Sequence, residues 1–271
     1  MGAIQPVPAF KLDASFQPNV GVEDTNVEAD LVKVKTRIGR VFGINDDTGV
    51  VAAFNYGLRD YEFDNVGPLG ADLDESLHEI AVEFGALWFV RDDTLLSFNF
   101  RPGIFSDLDD GVGGDDFQWH GNAVATYQWN DKWFFKLGVA LGEDFDETNV
   151  IPIGGFSWVS SDQLRVDVLL PRSATVTWRP WDGGSILIVP GVHLEGQQYH
   201  VEVGNTEGDI QIQDIRADIT ASYEVSKAAR VSLSVGSNFR GKYEVEGDGG
   251  LDADADQDPS LYIAIGFGSY F

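Results

Sequence analysis

Hydrophobic and polar residues alternate with a period of two along most of this chain, and helical periodicity is almost absent. The pattern predicts an all-β protein. Between 10 and 17, Phe10, Leu12, Ala14 and Phe16 alternate with Lys11, Asp13, Ser15 and Gln17, which puts an apolar and a polar face on opposite sides of a pleated strand. The same pattern returns at Leu96, Phe98 and Phe100, and at Ile215, Ala217, Ile219, Ala221 and Tyr223. Reading every such run gives about fourteen strands, with twelve as the alternative. They fall near 8–17, 31–44, 49–62, 77–91, 94–106, 117–129, 133–143, 150–159, 163–171, 174–181, 185–202, 209–225, 229–245 and 260–271. Many reach the roughly nine to eleven residues that a tilted strand needs to cross a bilayer.

The connections sort by length. Every second one is short, as in "NDDT" at 45–48, "DD" at 92–93, "NDK" at 130–132 and "SKA" at 226–228. Most of the others are longer and acidic or rich in glycine, such as "DLDDGVGGDD" and "EGDGGLDADADQDP". Short turns on one rim and long loops on the other are the signature of a closed up-and-down barrel of the outer-membrane type. "PRS" at 171–173 breaks the rule, being short where a long loop is due, and predicts a low wall or a miscounted strand.

Tryptophan placement points the same way. Trp88, Trp129, Trp133, Trp158, Trp178 and Trp181 all lie close to short turns, where a membrane barrel concentrates amphipathic rings at headgroup level. Phe271 is expected to join that girdle, with the apolar run "LYIAIGFGSYF" facing lipid.

Composition narrows the function. The formal net charge is -26 and the pI is near 4.2, which excludes the phosphate-neutralising chemistry of nucleic-acid binders. There is no cysteine, so disulfides, thiolate metal sites and cysteine nucleophiles are excluded. No apolar run is long enough for a transmembrane helix, and the first residues carry no signal-peptide pattern, so export would require that a leader was removed from the numbered form. One domain, 1–271, is expected, because no linker or composition shift divides the chain.

If apolar faces meet lipid, the polar faces enclose a lumen. That lumen would receive Lys33, Lys35, Arg37, Arg59, Arg101, Lys136, Arg165, Arg179, Arg216, Arg230 and Arg240, with Glu79, Glu83, Asp167, Glu195, Asp214 and Asp218 among the acids. A basic lining inside an acidic protein suits a water-filled pore for polar or anionic solutes. The same residues could instead tie the wall together as cross-strand ion pairs. Lys33, Lys35 and Arg37 stand out as three successive inward positions with no acid between them.

Other chemistry is thin. Asp252, Asp254, Asp256 and Asp258 are two apart, as calcium-loop ligands are, but lack the glycine and distal glutamate of such a loop, so they are a weak metal candidate. Weak divalent-cation binding by the acidic rim as a whole is the broader expectation. His78 beside Ser76 and Glu79, or His200 beside Tyr199, are the only places to seek a hydrolase, and neither has a recognisable spacing. No enzyme activity and no cofactor are expected.

The stretch "IPIGGFSWVSSDQLRVDVLLPRSATVTWRPWDGGSILIVPGVHLEG" and the terminal "SLSVGSNFRGKYEVEG" with "DPSLYIAIGFGSYF" resemble an uncharacterised, porin-like family of bacterial outer-membrane β-barrels. The likeness covers about the final half. It implies a barrel fold, an outer-membrane setting among lipid and lipopolysaccharide, and the barrel-assembly machinery as a partner in biogenesis. It carries no catalytic residue. Phe271 is similar to the terminal signal for that machinery, although Ser269 departs from the usual residue two positions earlier.

The expected molecule is therefore a closed antiparallel barrel acting as a passive channel for small hydrophilic solutes, with association into homo-oligomers left open. Two alternatives stand beside it: a non-conducting barrel plugged by its own ion pairs, with a structural or surface-interaction role, and a soluble acidic β-barrel or sandwich carrier.

Overall fold

The computed structural model describes residues 8–21, 28–64, 75–108, 111–144, 147–203, 206–247 and 251–270. They form one antiparallel sheet that closes on itself. The strands are β1 (Pro8–Gly21), β2 (Glu28–Gly43), β3 (Thr48–Asp64), β4 (Glu75–Arg91), β5 (Thr94–Ser106), β6 (Phe117–Gln128) and β7 (Trp133–Asp144). There follow β8 (Glu147–Ser161), β9 (Leu164–Leu170), β10 (Ser173–Trp178), β11 (Ile186–Val203), β12 (Thr206–Ser226), β13 (Ala229–Gly247), β14 (Leu251–Gln257) and β15 (Ser260–Tyr270). Each pairs with its sequence neighbour, and β15 closes the ring by pairing with both β1 and β13. Because β14 and β15 both pair with β13, they are two stretches of one wall position, and the barrel has fourteen. This is the fold class expected from the alternation. One loop expectation is corrected: part of the acidic segment after 247 is strand β14, which extends the last hairpin outward.

Two zones follow one another along the strands. Nearer the short turns, Leu12, Phe54, Phe98, Leu137, Ile219, Leu233 and Ile265 point outward and are exposed, while charged residues point inward. The girdle sits at this end: Trp88 and Trp178 are exposed on the outer face, Trp129 and Trp181 lie in turns, and Trp133 packs against Trp158 at 6.0 Å. Phe271 lies outside the described residues.

Nearer the long loops the polarity reverses. Val20, Ala29, Leu31, Tyr61, Leu77, Phe105, Tyr199, Val201 and Ile212 turn inward and form one buried apolar cluster. Asp30, Asp60, Glu62, Asp209, Gln211 and Gln213 occupy the outer face at this level. The reason is the solvent outside. Above the lipid the exterior meets water, so each large apolar side chain gains about 1.5–3 kcal/mol by packing inside. In β2 and β12 the sequence itself changes phase, from Ala29 and Leu31 to Val32 and Val34, and from Ile210 and Ile212 to Ile215 and Ala217. In β13 the backbone does it: a bulge leaves Phe239 unpaired between Asn238 and Arg240, so residues on either side exchange faces. A second bulge in β1, with Asn19 at φ 50, brings Val20 inside.

The apolar zone is a cap over part of the barrel. The tip of β5 crosses to β11, where the Asp107 N–H donates to the His200 carbonyl at 3.3 Å and Ser106 pairs with His200. The outer ends of β1–β5 and β11–β14 thus close as a smaller ring, leaving β6–β10 as a side bay. Within the bay the wall is low. The turn between β9 and β10 ends level with Gly154 and His193, while β8 and β11 continue beyond it.

Phe105→Ala, in the centre of the cap, is expected to lower stability by about 3–5 kcal/mol, whereas Leu261→Ala on the lipid face costs much less. Urea titration in micelles, followed by heat-modifiable gel migration, checks the difference.

Candidate channel lumen

Directly beneath the cap, the lumen is crossed by a buried polar network. Asp214 on β12 accepts from Lys33 Nζ at 2.8 Å and Arg59 Nη1 at 3.4 Å through Oδ2, and from Asn238 Nδ2 at 2.9 Å through Oδ1. Lys33, Arg59 and Asp214 are 5, 3 and 2% exposed. Asn238 also donates to Gln257, Gln257 to Ser260 and Gln17 to Ser260, so the polar layer continues into the seam of β1, β13 and β15. Lys33 and Arg59 share the single carboxylate of Asp214, and the hydrogen bond from Asn238 to its second oxygen helps to hold that carboxylate between them.

Below this layer the struts become half-exposed. Lys35 reaches Glu195 at 3.2 Å across the lumen, and Arg216 meets the other oxygen of Glu195 at 2.5 Å. Arg37 holds Glu83 bidentately at 3.0 and 3.1 Å, with Asn99 adding a third donor at 2.8 Å. Arg101 pairs with Glu79 at 2.9 Å. At the short-turn rim Arg179 and Arg230 share Glu224 at 2.8 and 3.0 Å.

The bay has a different lining. Arg165 binds Asp167 at 2.6 Å, Ser157 donates to the same carboxylate at 2.6 Å, and Lys136 stands 3.8 Å away. Above them the inward positions of β7, β8 and β10 are Gly138, Ala140, Ile151, Ile153, Ser173 and Thr175. Four of these six side chains are small, and none is charged, so the struts that cross the lumen beneath the cap have no counterpart here.

The sequence matches the family profile described as a domain of unknown function, DUF6268, over residues 87–267. The chain belongs to the DUF6268 family. No protein with a curated description matches it. Among solved structures, the COG4313 outer membrane channel from Pseudomonas putida F1 is similar at 12% identity and a TM-score of 0.50, over 100% of this chain and 99% of that one. A deletion mutant of TodX, the monoaromatic hydrocarbon channel, is similar at 9% identity and a TM-score of 0.50, over 97% of this chain and 89% of that one; TodX is from P. putida. At these identities the likeness shows the fold.

In this DUF6268 barrel, Lys33, Lys35, Arg37, Arg59, Arg101, Lys136, Arg165, Arg179, Arg216 and Arg230 all face the lumen, as do Glu79 and Glu83. The contrast drawn for Lys33, Lys35 and Arg37 is corrected. No acid lies between them in sequence, yet each meets one from another strand: Asp214, Glu195 and Glu83. Arg240 is also corrected. It follows the bulge at Phe239, pairs with outward-facing Ile215 and is exposed on the outer surface.

The aspartate series does not converge. Asp254 and Asp256 stand on one outer face of β14, opposite Glu244 and Lys242, because two residues apart on a strand means side by side in a row. Asp258 lies past the strand end, where its N–H donates to the Gly21 carbonyl, and the side chain of Asp252 lies outside the described residues. Among the described residues no three such side chains are grouped to hold a metal. The hydrolase pairings also fail: Ser76 donates to Asp60, His78 meets Tyr56 at 3.3 Å, and His200 pairs with Asp209 at 3.0 Å, facing away from Tyr199. Asp214 was expected among the inward acids; the cap, and the convergence of Lys33, Arg59 and the amides on that carboxylate, were missed by the sequence reading. The phase change in "DIQIQDIRADIT" is the signal that marks them.

Asp214→Ala leaves Lys33 and Arg59 buried without their carboxylate and is expected to cost about 3–5 kcal/mol, with Asp214→Asn milder. The temperature at which the folded band is lost on a gel reads the order wild type, Asn, Ala.

Proposed function

We propose that the protein is a passive channel of a bacterial outer membrane, carrying small hydrophilic solutes with a preference for anions along the β6–β10 side of the lumen. The reading is supported chiefly by the asymmetry of the interior. Large side chains and ion-pair struts fill the side under the cap, whereas the opposite wall carries Gly138, Ala140, Ser173 and Thr175 together with a strip of Ile151, Ile153 and Leu169. The half-exposed lysines and arginines of the spanning zone outnumber the carboxylates that face them, in a chain whose net charge is -26. A narrow passage with a positive excess raises the local concentration of anions. Outer-membrane lipid and lipopolysaccharide are the surroundings this reading implies.

Purified barrels in planar bilayers are expected to give steady current with a reversal potential on the anion side in a salt gradient. Lys136→Gln with Arg165→Gln moves that potential toward cations, because two positive charges leave the β6–β10 side of the lumen. A barrel that remains heat-modifiable yet passes no current instead supports the non-conducting, structural reading, which the cap and the cross-lumen struts favour.

A further inference from the structure

The wall opposite the cap is too short for the membrane it stands in. β9 has 7 residues and β10 has 6. At about 3.3 Å per residue and a tilt near 45°, seven residues climb about 16 Å of an apolar band roughly 25 Å tall. Both strands start from the short-turn rim, so the missing height lies on the long-loop side. The flanking strands show that this level is still within lipid. Above the β9–β10 turn, β8 presents Pro152 and Val150 on its outer face, and β11 presents Leu194. At their last common level β8 and β11 are three strand intervals apart, about 14 Å, and nothing in the sheet pairs with β8 above Gly154 on that side.

Ile151 marks what passes there. Large apolar side chains that are exposed on regular strand positions face outward in every other case among the described residues; Ile151 is 46% exposed and faces the bay. Its register neighbour Ala140 and the next inward residue Ile153 extend the apolar strip, Leu169 continues it on β9, and Lys136 lies two positions below Ile153 on the same face. An apolar strip of one chain's width ending at a cation, open toward hydrocarbon, has the chemistry of a binding track.

We infer that the gap above β9 and β10 is a side entrance from the bilayer, through which a single-chain amphipathic anion enters the lumen with its chain along Ile151, Ile153 and Leu169 and its head at Lys136. The inference rests on the channel reading for the onward path but not for the opening itself.

The chain has no cysteine, so single introduced thiols report access cleanly. In liposomes, Ile153→Cys is expected to react with a long-chain alkyl maleimide carried in the bilayer about tenfold faster than Ala264→Cys, which faces the lumen from the far wall. Lengthening β9 and β10 by four residues each removes the difference while the barrel stays heat-modifiable. Equal rates for the two thiols, or fast labelling that survives the longer hairpin, overturn the side entrance. Dodecanoate is expected to slow labelling of Ile153→Cys, whereas acetate and dodecyltrimethylammonium are not, and Lys136→Gln weakens the protection about tenfold, equivalent to one lost charge-assisted contact. Equal protection by the cationic amphiphile overturns the anionic assignment. Absence of current with fast labelling removes the channel reading and leaves the opening standing.

Discussion

What surrounds the barrel decides which face of each strand is apolar, and the structure depends on that rule being applied twice. A strand in hydrocarbon gains nothing by hiding leucine and isoleucine, since the lipid is as apolar as they are; it gains by enclosing Lys35, Glu195 and Arg216 where water can reach them. A few residues further out, the same strand is bathed in water, and burial of apolar surface becomes the driving force again. The apolar side chains therefore change sides. The level of the change is occupied by Lys33, Arg59, Asp214 and Asn238, which are neither in lipid nor in open water and need one another.

That ionic layer also fixes geometry. Asp214 draws on β2, β3 and β13 at once, and Lys35 with Glu195 joins β2 to β11, so one half of the ring is held across its own diameter. The other half, β6 to β10, is held by the local cluster around Asp167 and by His120, which meets Gln197 at 3.3 Å and packs edge-on against Phe105. One side is a packed body and the other a thin wall. The low hairpin and the inward-facing Ile151 both belong to the thin side.

Alternation and loop lengths were enough to read the barrel, its approximate strand number and its tryptophan belt, because a period of two survives in any single strand. The short "PRS" turn likewise carried the low wall in plain view. The cap was not read, because each strand was given one apolar face from end to end. Along β2 and β12 the change of phase is written in the residues. Along β13 it is not: Val231, Leu233, Val235, Tyr243 and Val245 keep odd numbers throughout, and only the bulge at Phe239 reverses what odd means. Arg240 was misplaced for that reason. The carboxylates that match Lys33, Lys35 and Arg37 were legible as inward positions, but which acid meets which base was not, since the partners come from strands far away in sequence and which strands face each other is settled only when the ring closes.

The bulge in β13 stands in a continuous seam with the bulge in β1 and the Asp258–Pro259 break that separates β14 from β15. Three adjoining wall positions thus turn at one height. A corrugation shared by neighbours lets the adjoining strands exchange faces together while they stay paired on both sides of it. Above that height Lys242 and Asp254 stand on the face that Leu233 and Ile263 hold below it, so a polar substitution at the summit meets water and leaves the greasy belt beneath it untouched.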